Sequence, residues 1–223
     1  MTVQAERDAV GAALIPQPEF AVTSAAHLAF AAAPTMVFTV QATEPRGREV
    51  QSMALGAQVM IDPARRGYDP ETRERLAELF GPPASWTPST QGLAWARITA
   101  QVAAFSGSTT FSLELPCTYD LEVAATKYFY ALADGFVPLS FHFNGTVFYR
   151  GADGRLQVVP VPWSATAQFQ MPLSAWRAMI AEHYPRGGWI RVSDETLARL
   201  NALRAGRGLP SFDACIEELL DDR

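Results

Sequence analysis

The residues Tyr119–Tyr149 constrain the fold more than any other stretch of this chain. Val137, Leu139, Phe141 and Phe143 alternate with Ser140, His142 and Asn144, a period of two that only an extended strand sorts onto two faces. Upstream, Tyr119, Leu121 and Val123 alternate with Asp120 and Glu122. Tyr119–Tyr149 therefore reads as two long antiparallel strands joined at Asp134-Gly135. At Tyr128-Phe129-Tyr130 the alternation fails and aromatics point both ways. A strand apolar on both faces is central in its sheet or covered by another layer.

Further strands follow the same logic. Phe20–Phe30 is a first strand diluted by Ala and Ser. Thr35–Ala42 and Val50–Ile61 carry clearer stripes (Met36, Phe38 and Val40; Met53, Leu55, Ala57, Val59 and Ile61) and read as a hairpin around Glu44–Arg48. Leu93–Phe105 and Thr109–Leu115 are separated by a Ser-Gly-Ser turn. Asn144-Gly145 is a strong hairpin signal, but Gly151–Gly154 is a second turn close behind it. We read one strand with a bulge at Asn144-Gly145 that turns at 151–154. Leu156–Trp163 returns, placed at an edge by Pro160 and Pro162, and Ala165–Met171 is a last strand.

Helical signals are few until the end. Asp69-Pro70-Glu71 places a cap, a proline at the first position and an acid in the first turn of a helix near 70–80. From Pro172 onward, apolar residues recur at helical spacing: Leu173, Trp176, Ile180 and Tyr184, then Leu197, Leu200 and Leu203 after Ser193, then Phe212, Cys215, Ile216 and Leu219 after Ser211. Strands first and helices later define an α+β protein. The expected architecture is a mostly antiparallel β-sandwich of about ten strands. Residues 1–18 form a loose arm, 19–171 the β domain with one inserted helix, and 172–223 about three helices packed on it as part of a single domain.

Composition limits the function. Apolar residues make up 48% and charged residues 18%, with a formal net charge of −5. That supports a large core and opposes a nucleic-acid groove or a polybasic membrane surface. No stretch is long and apolar enough to span a bilayer as a helix, and no targeting segment is evident, so a cytoplasmic protein is expected. Cys117 and Cys215 are expected as two buried thiols rather than a bridge.

The chain lacks a phosphate-binding glycine loop, a G-x-S-x-G elbow, H-E-x-x-H and C-x-x-C. No cofactor and no metal are expected. His27, His142 and His183 fall in three different elements. One constellation has catalytic chemistry: Asp120, Glu122, Ser140 and His142, an acid beside a histidine and a hydroxyl on the polar faces of neighbouring strands. The same residues also describe a solvated sheet face. Arg65-Arg66 beside a helix start is a candidate anion site or a pair of ordinary ion-pairing arginines. The aromatics Tyr128, Tyr130, Phe148 and Tyr149 are either two-sided core or an interaction surface, where such residues are enriched.

The segments L-A-E-L-F-G (76–81), L-P-C-T-Y-D-L-E-V-A-A-T-K-Y-F (115–129), G-F-V-P-L-S-F-H-F-N-G-T-V-F-Y (135–149) and V-P-W (161–163) resemble an actinobacterial family of unknown function. The resemblance extends over nearly the whole chain from Phe20. It implies genes beside those of nickel–iron hydrogenases, and hence an accessory or assembly role. It assigns no residue a function. The expectation is a non-catalytic protein that binds a protein partner. The alternatives are a small-molecule enzyme using the acid/histidine face, and a self-associating structural protein.

Overall fold

The computed structural model describes residues 15–86, 92–117, 124–185 and 192–221. Among them are nine strands: β1 (Glu19–His27), β2 (Thr35–Thr43), β3 (Glu49–Ile61), β4 (Leu93–Val102), β5 (Phe105–Ser106), β6 (Ser108–Pro116), β7 (Phe136–Arg150), β8 (Leu156–Pro160) and β9 (Thr166–Pro172). The helices are α1 (Pro70–Phe80), α2 (Ala124–Ala131), α3 (Leu173–His183), α4 (Asp194–Arg207) and α5 (Phe212–Asp221). The protein is α+β, with antiparallel sheets arranged as a sandwich. Residues 1–187 and 188–223 form two compact units. The expected N-terminal arm up to residue 14 and the extended segment 189–191 lie outside the described residues.

In the first unit, one sheet has the order β1-β2-β6 and the other β4-β3-β7-β8, with β5 on β3 and β9 on β7. β7 is the long strand that its alternation predicts, and its inward residues Val137, Leu139, Phe141, Phe143 and Val147 are buried. Phe38 of β2 ties the sheets together. Its ring meets Phe141 of β7 at 5.1 Å, Trp95 of β4 at 6.0 Å and Phe169 of β9 at 6.5 Å, each edge to face, the arrangement that aromatic quadrupoles favour.

Several expectations are corrected. Residues 124–131 are helix, not strand. Ala125, Thr126, Tyr128, Phe129 and Ala131 are its buried residues, and Ala125, Tyr128 and Phe129, with the buried Leu132 just past its end, have the spacing i, i+3, i+4, i+7 of one helical face. That spacing is the reason the alternation fails there. Asp134-Gly135 consequently links α2 to β7 and is not a hairpin turn.

β2 and β3 are not a hairpin either. They lie in different sheets, and the Glu44–Arg48 turn is a crossover. Glu44, 1% exposed, accepts the N–H groups of Arg46 (3.0 Å) and Arg48 (2.8 Å), while its own N–H donates to the Gly107 carbonyl (2.6 Å). A buried carboxylate held by backbone N–H groups is a strong anchor. It bends the chain from one layer to the next.

Asn144-Gly145 is neither turn nor bulge, because β3 pairs regularly past it, Leu55 with Gly145 and Gly56 with Asn144. Instead, β7 changes neighbour there. β9 pairs with residues 136–142 and β8 with 146–150. Gly145 has φ +132°, and a Cβ on it would lie 2.1 Å from the Ala54 carbonyl oxygen, so only glycine fits. β8 is the edge strand that its prolines predict.

α1 begins where its cap predicts. Asp69 accepts the Thr72 N–H (2.8 Å) and hydroxyl (2.6 Å), and these bonds hold its carboxyl below the ordinary range. α3 packs within the first unit through the buried Leu173, Trp176 and Met179.

In the second unit, Ser193 caps α4 and Ser211 caps α5 as expected. The Leu197, Leu200 and Leu203 stripe is not buried, however. α4 has no buried residue, Leu197 is 41% exposed, and Cys215 is the buried residue of α5. Two short helices hold too few side chains to enclose a core.

Phe38→Ala removes the ring that joins both sheets and is expected to cost about 3–5 kcal/mol, measured by urea unfolding of the full chain.

Candidate interaction surface

The β1–β2 connection is Leu28-Ala29-Phe30-Ala31-Ala32-Ala33-Pro34. It has no polar side chain, although loops between strands are ordinarily polar. The sequence reading extends the first strand to Phe30, whereas the structure ends it at His27. Leu28 N–H donates to Thr35 O (2.9 Å), closing the strand pair. Beyond it Phe30 takes φ +58°, the one non-glycine positive φ among the described residues. Its side chain is 98% exposed. A bulky residue in the left-handed region is a genuine outlier, and burial gives this one no compensation.

The compensation comes from α3. Phe30 N–H donates to Glu182 Oε1 (2.7 Å), and Glu182 Oε2 pairs with His27 Nε2 (2.8 Å). His183 places Nδ1 3.1 Å from Met179 O and Nε2 3.2 Å from Ala31 O. A singly protonated imidazole donates to one of these carbonyls; the doubly protonated ring donates to both. Two of the three histidines thus meet on one loop, through a helix that the sequence places 152 residues away. The Phe30 N–H, with His27 behind it, holds the Glu182 carboxyl below the usual carboxylate range. Among the described residues no cluster of three metal-binding side chains occurs.

The aromatics put forward from the sequence separate into two groups. Tyr128 is fully buried on α2, its hydroxyl 2.7 Å from that of Tyr68, which donates to Pro63 O (2.7 Å). Burial raises the pKa of both phenols. Tyr149 is also buried and donates to Gln157 Oε1 (2.9 Å). Tyr130 is 52% exposed, its ring edge-to-face on Trp176 of α3 at 5.0 Å. Phe148 is half-buried on β7, opposite Val158 of β8. Leu156 and Val158 of β8 are each 61% exposed, and Trp163 is 95% exposed.

Of the acid/histidine constellation, Asp120 and Glu122 lie outside the described residues. His142 is exposed on β7, opposite Gln58 and Thr166. Ser140 donates to Asp62, which also faces Arg65 at 3.8 Å. Arg66 donates to the Asp134 and Phe136 carbonyls, its guanidinium over the Tyr68 and Phe136 rings at 5.5 and 5.6 Å. Both arginines are thereby engaged within the protein.

Phe30 was missed because a phenylalanine after an apolar run reads as more strand. The signal was present in the seven-residue apolar run ending at Pro34, which is too diluted by alanine for a strand and too apolar for an ordinary turn.

The model of a family of unknown function matches residues 15–223. No curated protein matches the chain. Among solved structures, a protein described as ApaA from Bordetella pertussis is similar at 12% identity, over 71% of this chain and 96% of that one, with a TM-score of 0.27. A late embryogenesis abundant (LEA) protein is similar at 14% identity, over 77% of this chain and 88% of that one, with a TM-score of 0.29. At such scores neither likeness says anything of what this chain binds or does.

Two outcomes follow from the loop geometry. Phe30→Asn keeps a residue that tolerates the left-handed region and loses no burial, so it is expected to stabilise the chain by about 1 kcal/mol, read as a raised urea midpoint. The folded Glu182 carboxyl is more acidic than the unfolded one. Its tie to Phe30 is therefore intact above the ordinary carboxylate pKa and is lost as pH falls through the lower folded value. The Phe30 amide resonance is expected to follow that titration, and in Glu182→Gln it should stay flat.

Proposed function

The chain belongs to that family, DUF6084, and we propose that it is a non-catalytic accessory or assembly protein that docks on a protein partner through the Phe30 loop and Tyr130. The observation that carries this reading is Phe30 itself: a fully exposed aromatic in a strained backbone conformation, fixed by a carboxylate from another element. Strain of this kind persists only where surrounding structure enforces it, and it gathers at binding sites. Tyr130 is held in advance through its ring, packed on Trp176, and Phe30 through its backbone, which leaves less freedom to be lost on binding.

α3 supports both anchors. Tyr130 rests on Trp176 and Phe30 is tied to Glu182. Trp176 and Glu182 are six positions apart, about 9 Å along the helix, a separation that one partner surface covers. Glu182 and His27 supply a polar rim beside the apolar loop. A nickel–iron hydrogenase or another redox complex, in an actinobacterial cytoplasm, is the partner we put forward. That choice rests on the gene neighbourhood implied by the sequence resemblance.

The test is recovery of tagged full-length protein from its own host, as wild type and as Phe30→Asn. The wild type is expected to retain hydrogenase or redox-complex subunits, and the variant, still folded, to lose them. Recovery of the wild type alone, or equal recovery of the same subunits by both proteins, overturns the reading.

A further inference from the structure

β8 pairs with β7 on one side, and among the described residues no strand pairs with its other edge. Which backbone groups face outward follows from two hydrogen bonds at its ends. Gly151 N–H donates to Arg155 O (2.9 Å), and Val161 N–H donates to Gly145 O (3.0 Å). In an antiparallel strand the N–H and C=O of one residue point to the same side, and the side alternates along the chain. Residues 155, 157, 159 and 161 therefore face β7, while Leu156, Val158 and Pro160 face away. The open edge offers two N–H donors, on Leu156 and Val158, and three carbonyls. Pro160 adds an acceptor without a donor.

This set is complementary to itself. We propose that two copies of the chain pair antiparallel through β8, about a twofold axis at Val158. Val158 N–H then donates to the carbonyl of the partner's Val158, and Leu156 N–H to that of the partner's Pro160, each bond occurring twice by symmetry. All four outward donors are used, and the missing N–H of Pro160 falls where only an acceptor is needed. A register one residue away also uses the four donors, but it leaves Pro160 beyond the partner strand.

The side chains agree with this pairing. Leu-Gln-Val-Val-Pro carries no charge, so the lysine or inward charge that often guards a solitary edge is missing, and Pro160, itself a common edge guard, stands in this register where only an acceptor is needed. Leu156 and Val158 lie on the same face as Phe148 and are 61% exposed. Pairing sets Val158 beside its own copy and Leu156 beside proline, and it covers apolar surface on both chains. Because the contact is isologous, it closes at two copies. The result is one sheet running continuously through both protomers, with the Phe30 loop of each outside the contact.

Sedimentation of the full chain over a wide concentration range tests the proposal. A monomer–dimer equilibrium is expected. Val158→Pro removes the central outward donor from each copy without touching a bond to β7, and should weaken the dimer at least about tenfold. Val158→Lys should do the same by setting like charges together, and circular dichroism shows whether each variant keeps its sheet. Phe30→Asn should leave the dimer unchanged, which separates this contact from the docking surface proposed above. A chain that stays monomeric throughout, or a dimer that a folded Val158→Pro or Val158→Lys leaves as strong as wild type, overturns it.

Discussion

The β3–β7 ladder is the constraint on which the rest of the first unit depends. It runs from Ile61 opposite Leu139 to Val50 opposite Tyr149, and both strands bury one face against the small sheet. Because register has a period of two, a one-residue slip would carry every inward side chain of β7 to the outside. Gly145 guards that register, since its neighbour strand approaches too closely for any Cβ. The same residue marks where the other edge of β7 passes from β9 to β8. The open edge of β8 therefore exists because one long strand serves two short ones in succession.

A line of rings runs from this core to the surface. Phe38 meets Trp95, Trp95 meets Phe129 at 5.0 Å, Phe129 meets Trp176 at 5.1 Å, and Trp176 meets Tyr130. Each such contact adds about 0.5–1.5 kcal/mol beyond burial. Tyr130 is thus mounted on the packed interior, whereas Phe30 is held by its backbone hydrogen bond to Glu182. The two exposed aromatics share a helix but not a means of support.

The sequence exposes those features in which one residue type answers one local need. β7 and β3 were legible because their alternation is strict, α1 because Asp69 and Pro70 meet the demands of a helix start, and the edge position of β8 because Pro160 cannot donate. Features set by distant neighbours were hidden. Glu44–Arg48 has the residues of a turn whether the chain returns in one sheet or crosses to the other, and only the burial of Glu44 decides between them. Ala124–Ala131 was mistaken for strand because Tyr119–Val123 alternates just before it. Its helical spacing, Ala125 to Leu132, stood in the same letters. For the surface, Tyr130 was named from its type, but Phe30 depends on Glu182 and His183, residues that no local pattern connects to it.

The tie between Phe30 and Glu182 also imposes an order on events. Its two ends lie 152 residues apart, and the loop leaves the ribosome long before α3 is made. Until that helix emerges, nothing in the nascent polypeptide compels the phenylalanine into its costly backbone shape. The left-handed backbone at Phe30 is therefore secured only in a finished first unit, and a truncated or stalled product would carry the same loop without that constraint.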